Sequence, residues 1–166
     1  MKVLSLLTAA GVASLSTAST IQRRAPVLTD VLNAHNDFRA QHGATALTWS
    51  DTLANAAQSW ADRCVFEHSG GAVGPYGENL YAAATSGANP VDGVRSWTNE
   101  ASEYDPNNPQ PSHFTQVVWK ASTELGCAVA ECGDKIFSGF PTSTFLVCEY
   151  SPAGNVIGQF PENVQP

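Results

Sequence analysis

Two serines stand beside two histidines in this chain, Ser69 directly after His68 and Ser112 directly before His113. A serine and an imidazole are the materials of a hydrolase, in which the histidine takes the hydroxyl proton as the serine attacks. Adjacency argues against that role, because neighbouring side chains rarely meet with the geometry of a nucleophile and its base. No Gly-x-Ser-x-Gly elbow occurs either. The imidazoles suit a divalent metal better, since neutral histidine nitrogens are good zinc ligands. Four cysteines complete the reactive groups: Cys64, Cys127, Cys132 and Cys148. Without a Cys-x-x-Cys spacing they read as two disulfides rather than a thiolate metal site.

The N-terminus places these groups in an oxidising compartment. Residues 1–18 have the form of a secretory signal peptide: Lys2, a mostly apolar run from Val3 to Ala13, then the small residues Ser16-Thr17-Ala18. The apolar run is shorter than the ~20 residues that span a bilayer. Arg23-Arg24 is a dibasic site, so residues 19–24 read either as a propeptide removed there or as the start of the exported chain. The remainder, residues 25–166, makes one domain, long enough to bury roughly two-thirds of its unfolded surface.

Of eight basic residues, Lys2, Arg23 and Arg24 lie in the leader, leaving five against fifteen acidic side chains. A surface this acidic repels phosphate backbones, whose binding needs Lys and Arg. Nucleic acid is excluded as a partner. No later run is apolar enough to span a membrane, no Asn-x-Ser/Thr sequon is present, and a secreted monomer is expected.

The elements that must position the reactive groups begin with a helix from Thr29 or Asp30 to His42, stopped by Gly43. His35 and His42 fall on it and read as structural or exposed. Ser50 caps a second helix carrying Leu53, Ala56, Ala57, Trp60, Ala61 and Cys64 at helical spacing. A Gly- and Ser-rich loop over 67–76 leads to Gly77-Glu78-Asn79-Leu80. Pro90 opens a third helix with Val91, Val94, Trp97 and Ala101 on one face. The proline- and asparagine-rich run 105–112 is a loop. Strands are expected at Phe114–Trp119, Leu125–Ala130 and Thr144–Tyr150, the last two forming a hairpin with a Gly-containing loop. Helices first and strands late make an α+β domain.

Four cysteines allow three pairings. Cys127 and Cys132 are five apart, so on one strand they face opposite sides and take different partners. Cys148 ends a run able to pair antiparallel with the Cys127 strand. That favours Cys127–Cys148 and leaves Cys64 for Cys132.

Three segments occur in a telling order: Gly77-Glu78-Asn79-Leu80, then Ser112-His113-Phe114-Thr115-Gln116-Val117-Val118-Trp119 running on to Gly126-Cys127, then Cys148-Glu149-Tyr150-Ser151-Pro152-Ala153-Gly154-Asn155. Together they resemble the CAP superfamily, the cysteine-rich secretory, antigen 5 and pathogenesis-related group 1 proteins, over about residues 28–160. Two positions depart from the family pattern. Ser112 stands where Gly is usual, and Glu149 where Asn or another small polar residue is usual.

The resemblance implies a three-layer α-β-α sandwich around a central antiparallel sheet, and the same disulfide pairing. It also implies that His68, Glu78, Glu100 and His113 line a central cleft, where zinc or another divalent ion is weakly bound. A hydrogen-bonded network fixing helix to sheet is the alternative role for these four. Trp60, Trp97, Trp119, Tyr76, Tyr81 and Tyr104 are core residues, some of which could line an apolar pocket. The chain looks most similar to secreted fungal members that bind sterols or fatty acids. A small lipid is therefore the expected ligand, with no catalytic residues. An effector or defence module acting on other cells' surfaces is the alternative, and a hydrolase using Ser69 or Ser112 comes third.

Overall fold

The computed structural model describes residues 16–166, with side chains from Leu28 onward; residues 1–15 of the expected signal peptide lie outside the described residues. Helix α1, Ser16–Gln41, starts well before the expected cap at Thr29 or Asp30. A capping residue starts a helix only where the chain before it leaves helical geometry, and residues 16–28 do not. Gly43, at φ +64°, ends it as expected. Helix α2, Asp51–Ala61, follows a two-residue strand β1, Thr48–Trp49. Ser50 occupies the α2 cap position, but it contributes its backbone carbonyl to Ala54 N, and its hydroxyl makes no capping bond.

Strand β2, Gly77–Ala83, and helix α3, Val91–Asn99, come next. A short 3-10 turn, Glu100–Glu103, extends α3 to the expected Ala101. Helix α4, His113–Val118, precedes strands β3, Glu124–Glu131, and β4, Thr144–Ser151. A one-turn helix α5, Phe160–Asn163, ends the described fold.

The expected strand at Phe114–Trp119 is therefore a helix. Its β-branched and aromatic composition argues for a strand, yet all five residues from Phe114 to Val118 are buried, a burial that alternation on one sheet face does not require. Ser112 decides the matter. Its hydroxyl accepts from Thr115 N at 3.1 Å while Thr115 Oγ1 accepts from Ser112 N at 2.8 Å, a reciprocal cap that starts a helix.

The sheet runs β1-β3-β4-β2. It is mixed rather than antiparallel, because β1 pairs parallel with β3 while β2–β4 and β3–β4 are antiparallel. Neither β1 nor β2 was evident from sequence. Two residues carry no period, and Gly77-Glu78-Asn79 puts weak strand formers at the start of β2.

Side-chain alternation divides the interior into two layers. Leu146, Cys148 and Tyr150 of β4 face α1, α3 and α4, whereas Phe145 and Val147 face α2. This is the α-β-α sandwich. Gly126 permits the α2 contact, since a Cβ there would strike the backbone at Leu53–Ala54.

The disulfides are Cys64–Cys132 and Cys127–Cys148, as the strand faces require. Cys127 and Cys148 are directly opposite on β3 and β4, in the α1-side layer. Cys64–Cys132 ties the end of α2 to the end of β3, in the other. Among the described residues no helix is long and apolar enough to cross a membrane.

Candidate functional site

Strand β2 lies at one edge of the sheet, and its alternation sends neighbouring residues to opposite faces. Glu78 lies on the α2 side and Asn79 on the α4 side. Both nevertheless line one cleft of about 430 Å³, together with His68, Glu100, Glu103, Pro111, Ser112, His113 and Asn155. The cleft wraps around the sheet edge, and all four expected residues lie in it.

They meet as two pairs. His68 Nδ1 lies 2.7 Å from Glu78 Oε1, which also accepts from Ser69 N at 2.9 Å. His113 Nδ1 lies 2.6 Å from Glu100 Oε1. The second Glu100 oxygen accepts from the backbone N–H groups of His113 and Phe114, at 2.8 and 3.2 Å. Glu100 therefore satisfies two of the free donors at the start of α4 while it orients the imidazole. Trp97 stacks on the His113 ring, with centroids 6.1 Å apart and planes 19° from parallel.

A carboxylate on Nδ1 fixes a neutral histidine with its proton there and its lone pair on Nε2. Each histidine is thus set up as a metal ligand through Nε2, with the glutamate as its orienting partner. In this arrangement Glu78 and Glu100 engage the rings as hydrogen-bonding partners. Among the described residues no three His, Cys, Asp or Glu side chains are grouped to hold an ion.

The exposure of the pairs differs. The His68 side chain is 60% exposed and that of Glu78 only 7%. The hydrogen bond that His68 donates to Glu78 raises the His68 pKa, against some desolvation. Burial alone would raise Glu78, but the bonds from His68 and Ser69 prevail and hold it below the ordinary carboxylate value.

Beneath this pair lies Glu149, in register with Glu78 across β2 and β4 and only 1% exposed. With both groups ionised, Glu149 Oε1 and Oε2 and Glu78 Oε2 are buried without a donor. Burial, followed by repulsion from Glu78, pushes the Glu149 pKa up to about 9. Glu149 is therefore a neutral acid at pH 7, able to donate to Glu78. Sequence marked this residue only as a departure from the family pattern. Its meaning needs the β2–β4 register.

The polar network behind His113 was likewise beyond sequence reading. Asn79 Nδ2 donates to the His113 carbonyl at 3.1 Å and to the Tyr150 hydroxyl at 3.2 Å. Tyr150 reaches His35 Nε2 at 2.8 Å, and His35 Nδ1 reaches the Val31 carbonyl at 2.7 Å. Burial lowers the His35 pKa to about 4, so this histidine is neutral and structural. His42, the other histidine of α1, bonds the Gln165 carbonyl at the surface.

The terminal motif holds α4 from the opposite side. Asn155 Oδ1 accepts from Thr115 Oγ1 at 2.6 Å, and its amide donates to the Ser112 carbonyl at 3.0 Å. Gly154 N donates to Gln116 Oε1 at 3.0 Å. Gly77 is required here, because a Cβ would run into the Gln116 amide.

The two serines have different partners, and the Ser69 side chain hydrogen-bonds the Glu78 carboxylate. Ser112 Oγ is engaged at the α4 cap, and no hydrogen bond joins either hydroxyl to a histidine. A second cavity of about 320 Å³, lined by Glu100, Glu103, Tyr104, Asp105 and neighbours, is also rich in carboxylates. Trp60, Trp97 and Trp119 are buried in the core and line neither cavity.

An α-β-α sandwich with two His–Glu pairs at its sheet edge defines the class of protein. Residues 32–150 match the family model of the cysteine-rich secretory protein family, CAP, and the chain belongs to that family. It is 44% identical over 146 residues to Protein PRY2 of Saccharomyces cerevisiae, covering 83% of this chain and 41% of that protein. To Fruiting body protein SC14 of Schizophyllum commune it is 43% identical over 148 residues, covering 81% and 67%. Of solved structures, BmVAL-1 superposes with a TM-score of 0.62 at 29% identity, covering 77% of each chain.

Proposed function

We propose that this chain is an exported, non-enzymatic CAP protein that carries a small lipid, a sterol or a fatty acid. The observation that carries the non-enzymatic part is the engagement of the cleft's own groups. Both carboxylates hold histidine Nδ1 atoms, and no serine hydroxyl meets an imidazole. This engagement supports a site that holds and orients its groups. Two disulfides and the similarity to fungal family members support export.

The ligand class comes from the resemblance to fungal CAP proteins, which implies sterols and fatty acids. Both cavities are lined by carboxylates, and the lipid is assigned to neither. Burying roughly 300 Å² of an apolar ligand gives about 7 kcal/mol before ordering costs, enough for micromolar binding without any catalytic group.

The cleft would also take zinc, through Nε2 of His68 and of His113. Two imidazoles fit zinc's donor preference, and a site with only two protein ligands binds weakly. When bound, the ion would supply a Lewis acid; the chain's part is to hold both rings in the Nδ1–H tautomer.

The test is a radiolabelled sterol and fatty-acid binding assay on the mature protein. Saturable binding in the micromolar range is expected. Binding of neither class above background would displace the lipid reading in favour of a surface-acting effector.

A further inference from the structure

Large apolar side chains are exposed just after α2 and in the β3–β4 loop, two segments that one disulfide joins. Val65 is 42% exposed, Phe66 48% and Phe140 50%. Val65 and Phe66 follow Cys64, while Ile136, Phe137 and Phe140 lie on the loop that follows Cys132, so the Cys64–Cys132 bond holds the two segments together. Phe66 packs edge-on to the buried Phe145, at 5.7 Å between centroids, and Phe137 edge-on to Phe140, at 6.4 Å. Ile136 packs on the α2-side core beneath. The aromatic rings thus project from a braced base. None of these residues lines the His–Glu cleft.

We propose that this face docks the protein on a lipid surface with neutral headgroups, resting on the lipid-carrier reading and naming where such a carrier would meet a membrane. Two properties select that occupant. The first is charge. Arg63 and Glu67 flank Val65-Phe66, and Asp134 and Lys135 precede Ile136, so the patch is locally neutral on a chain of net charge −7. An anionic bilayer repels the chain as a whole. The basic Arg63 and Lys135 are each matched on the patch by an acidic neighbour, Glu67 and Asp134, which leaves no net positive charge to offset that. A zwitterionic surface imposes no such cost.

The second is area. With 150–250 Å² for an aromatic side chain, the three exposed residues offer roughly 300 Å². A stable dimer needs about 800 Å² per partner. The patch is too small for a second copy, but its rings have the size and form that insert shallowly among acyl chains.

Flotation of the mature protein with phosphatidylcholine vesicles tests this. Wild type should float, and Phe140→Asp should lower the floated fraction at least tenfold. Ile157→Asp, at an exposed site outside the patch, should float as wild type does. Replacing a third of the lipid with phosphatidylserine should weaken wild-type flotation. Circular dichroism of Phe140→Asp checks that the half-exposed site tolerates the change, with Phe137→Ser as a second variant.

Equal flotation of wild type and both phenylalanine variants overturns the proposal. So does a wild type that ignores vesicles, including one that elutes as a dimer sensitive to Phe140→Asp. Sterol delivered from cyclodextrin separates the two readings. Wild type that binds delivered sterol without floating refutes the docking face alone, whereas failure in both assays removes the carrier reading as well.

Discussion

Glu78 and Glu149 stand directly opposite on β2 and β4, and at neutral pH only Glu78 is ionised. Glu149 keeps a proton in the folded protein that it would lose in the unfolded chain, where its pKa returns to about 4.5. Between those two values the native state binds more protons than the unfolded state, so this group's contribution to stability falls as pH rises. Its effect is complete below about pH 4.5 and lost as pH rises through about 9.

Glu149→Gln keeps the shape and supplies a permanent donor to Glu78. It should raise stability at pH 8 by about 2 kcal/mol and flatten the decline between pH 5 and 9. Urea unfolding of both proteins across that range checks the prediction. Parallel curves would mean that Glu149 is ionised in the fold.

His68 also holds its proton more tightly than usual, and there the consequence is for zinc. Because His68 keeps its proton above the ordinary value of 6.5, acid should compete for its ring before that of a free histidine. Calorimetric zinc binding should therefore weaken as pH falls toward 6.5 and vanish in acid. His113→Ala should abolish it at pH 8, and flat titrations of wild type would make both pairs purely structural.

Glu100 has a dual task, since its two oxygens hold His113 Nδ1 and two N–H groups of α4. Glu100→Ala should lower thermal stability by about 1–2 kcal/mol and zinc affinity by about tenfold. Glu100→Gln should recover part of both, because its carbonyl still accepts one of these bonds. Scanning calorimetry and zinc titration read the two effects separately.

The Cys64–Cys132 bond closes a 68-residue separation and should contribute about 4 kcal/mol, against about 3 for the 21-residue Cys127–Cys148 separation. Non-reducing peptide maps should show these two links. Cys64→Ser should cost more in denaturant midpoint than Cys148→Ser in a matched Cys127→Ser background.

How far the sequence was legible depends on the range of the signal. Helix α2 was visible because Leu53, Ala57, Trp60 and Ala61 repeat on one buried face. The disulfides followed from strand alternation. The His–Glu tetrad was legible only through the family motifs, since its members come from four segments with no common spacing. Helix α4 misled, because its local signal, the Ser112–Thr115 cap, was outweighed by the strand-forming types of four buried residues, Phe114, Thr115, Val117 and Val118. Glu149, Asn79 and Tyr150 could not be assigned beforehand. Their roles exist only once β2 lies beside β4, and that pairing is non-local.

A serine-reactive fluorophosphonate probe bears on the non-enzymatic reading. Ser112 Oγ accepts from Thr115 N, and the Ser69 side chain hydrogen-bonds the Glu78 carboxylate. No labelling is expected at either residue in the folded protein. Stoichiometric labelling of one of them would establish a nucleophile.

The most direct test of the whole account is native mass spectrometry of the mature protein after incubation with a sterol and, separately, with a fatty acid. The account predicts a 1:1 adduct with at least one of them at micromolar concentration. Glu100→Ala should retain that adduct, because the charged pair lies in a polar cleft, and Cys64→Ser should lose most of it, because α2 is no longer tied to the sheet. A wild-type spectrum showing only the bare protein with both lipids would contradict the account.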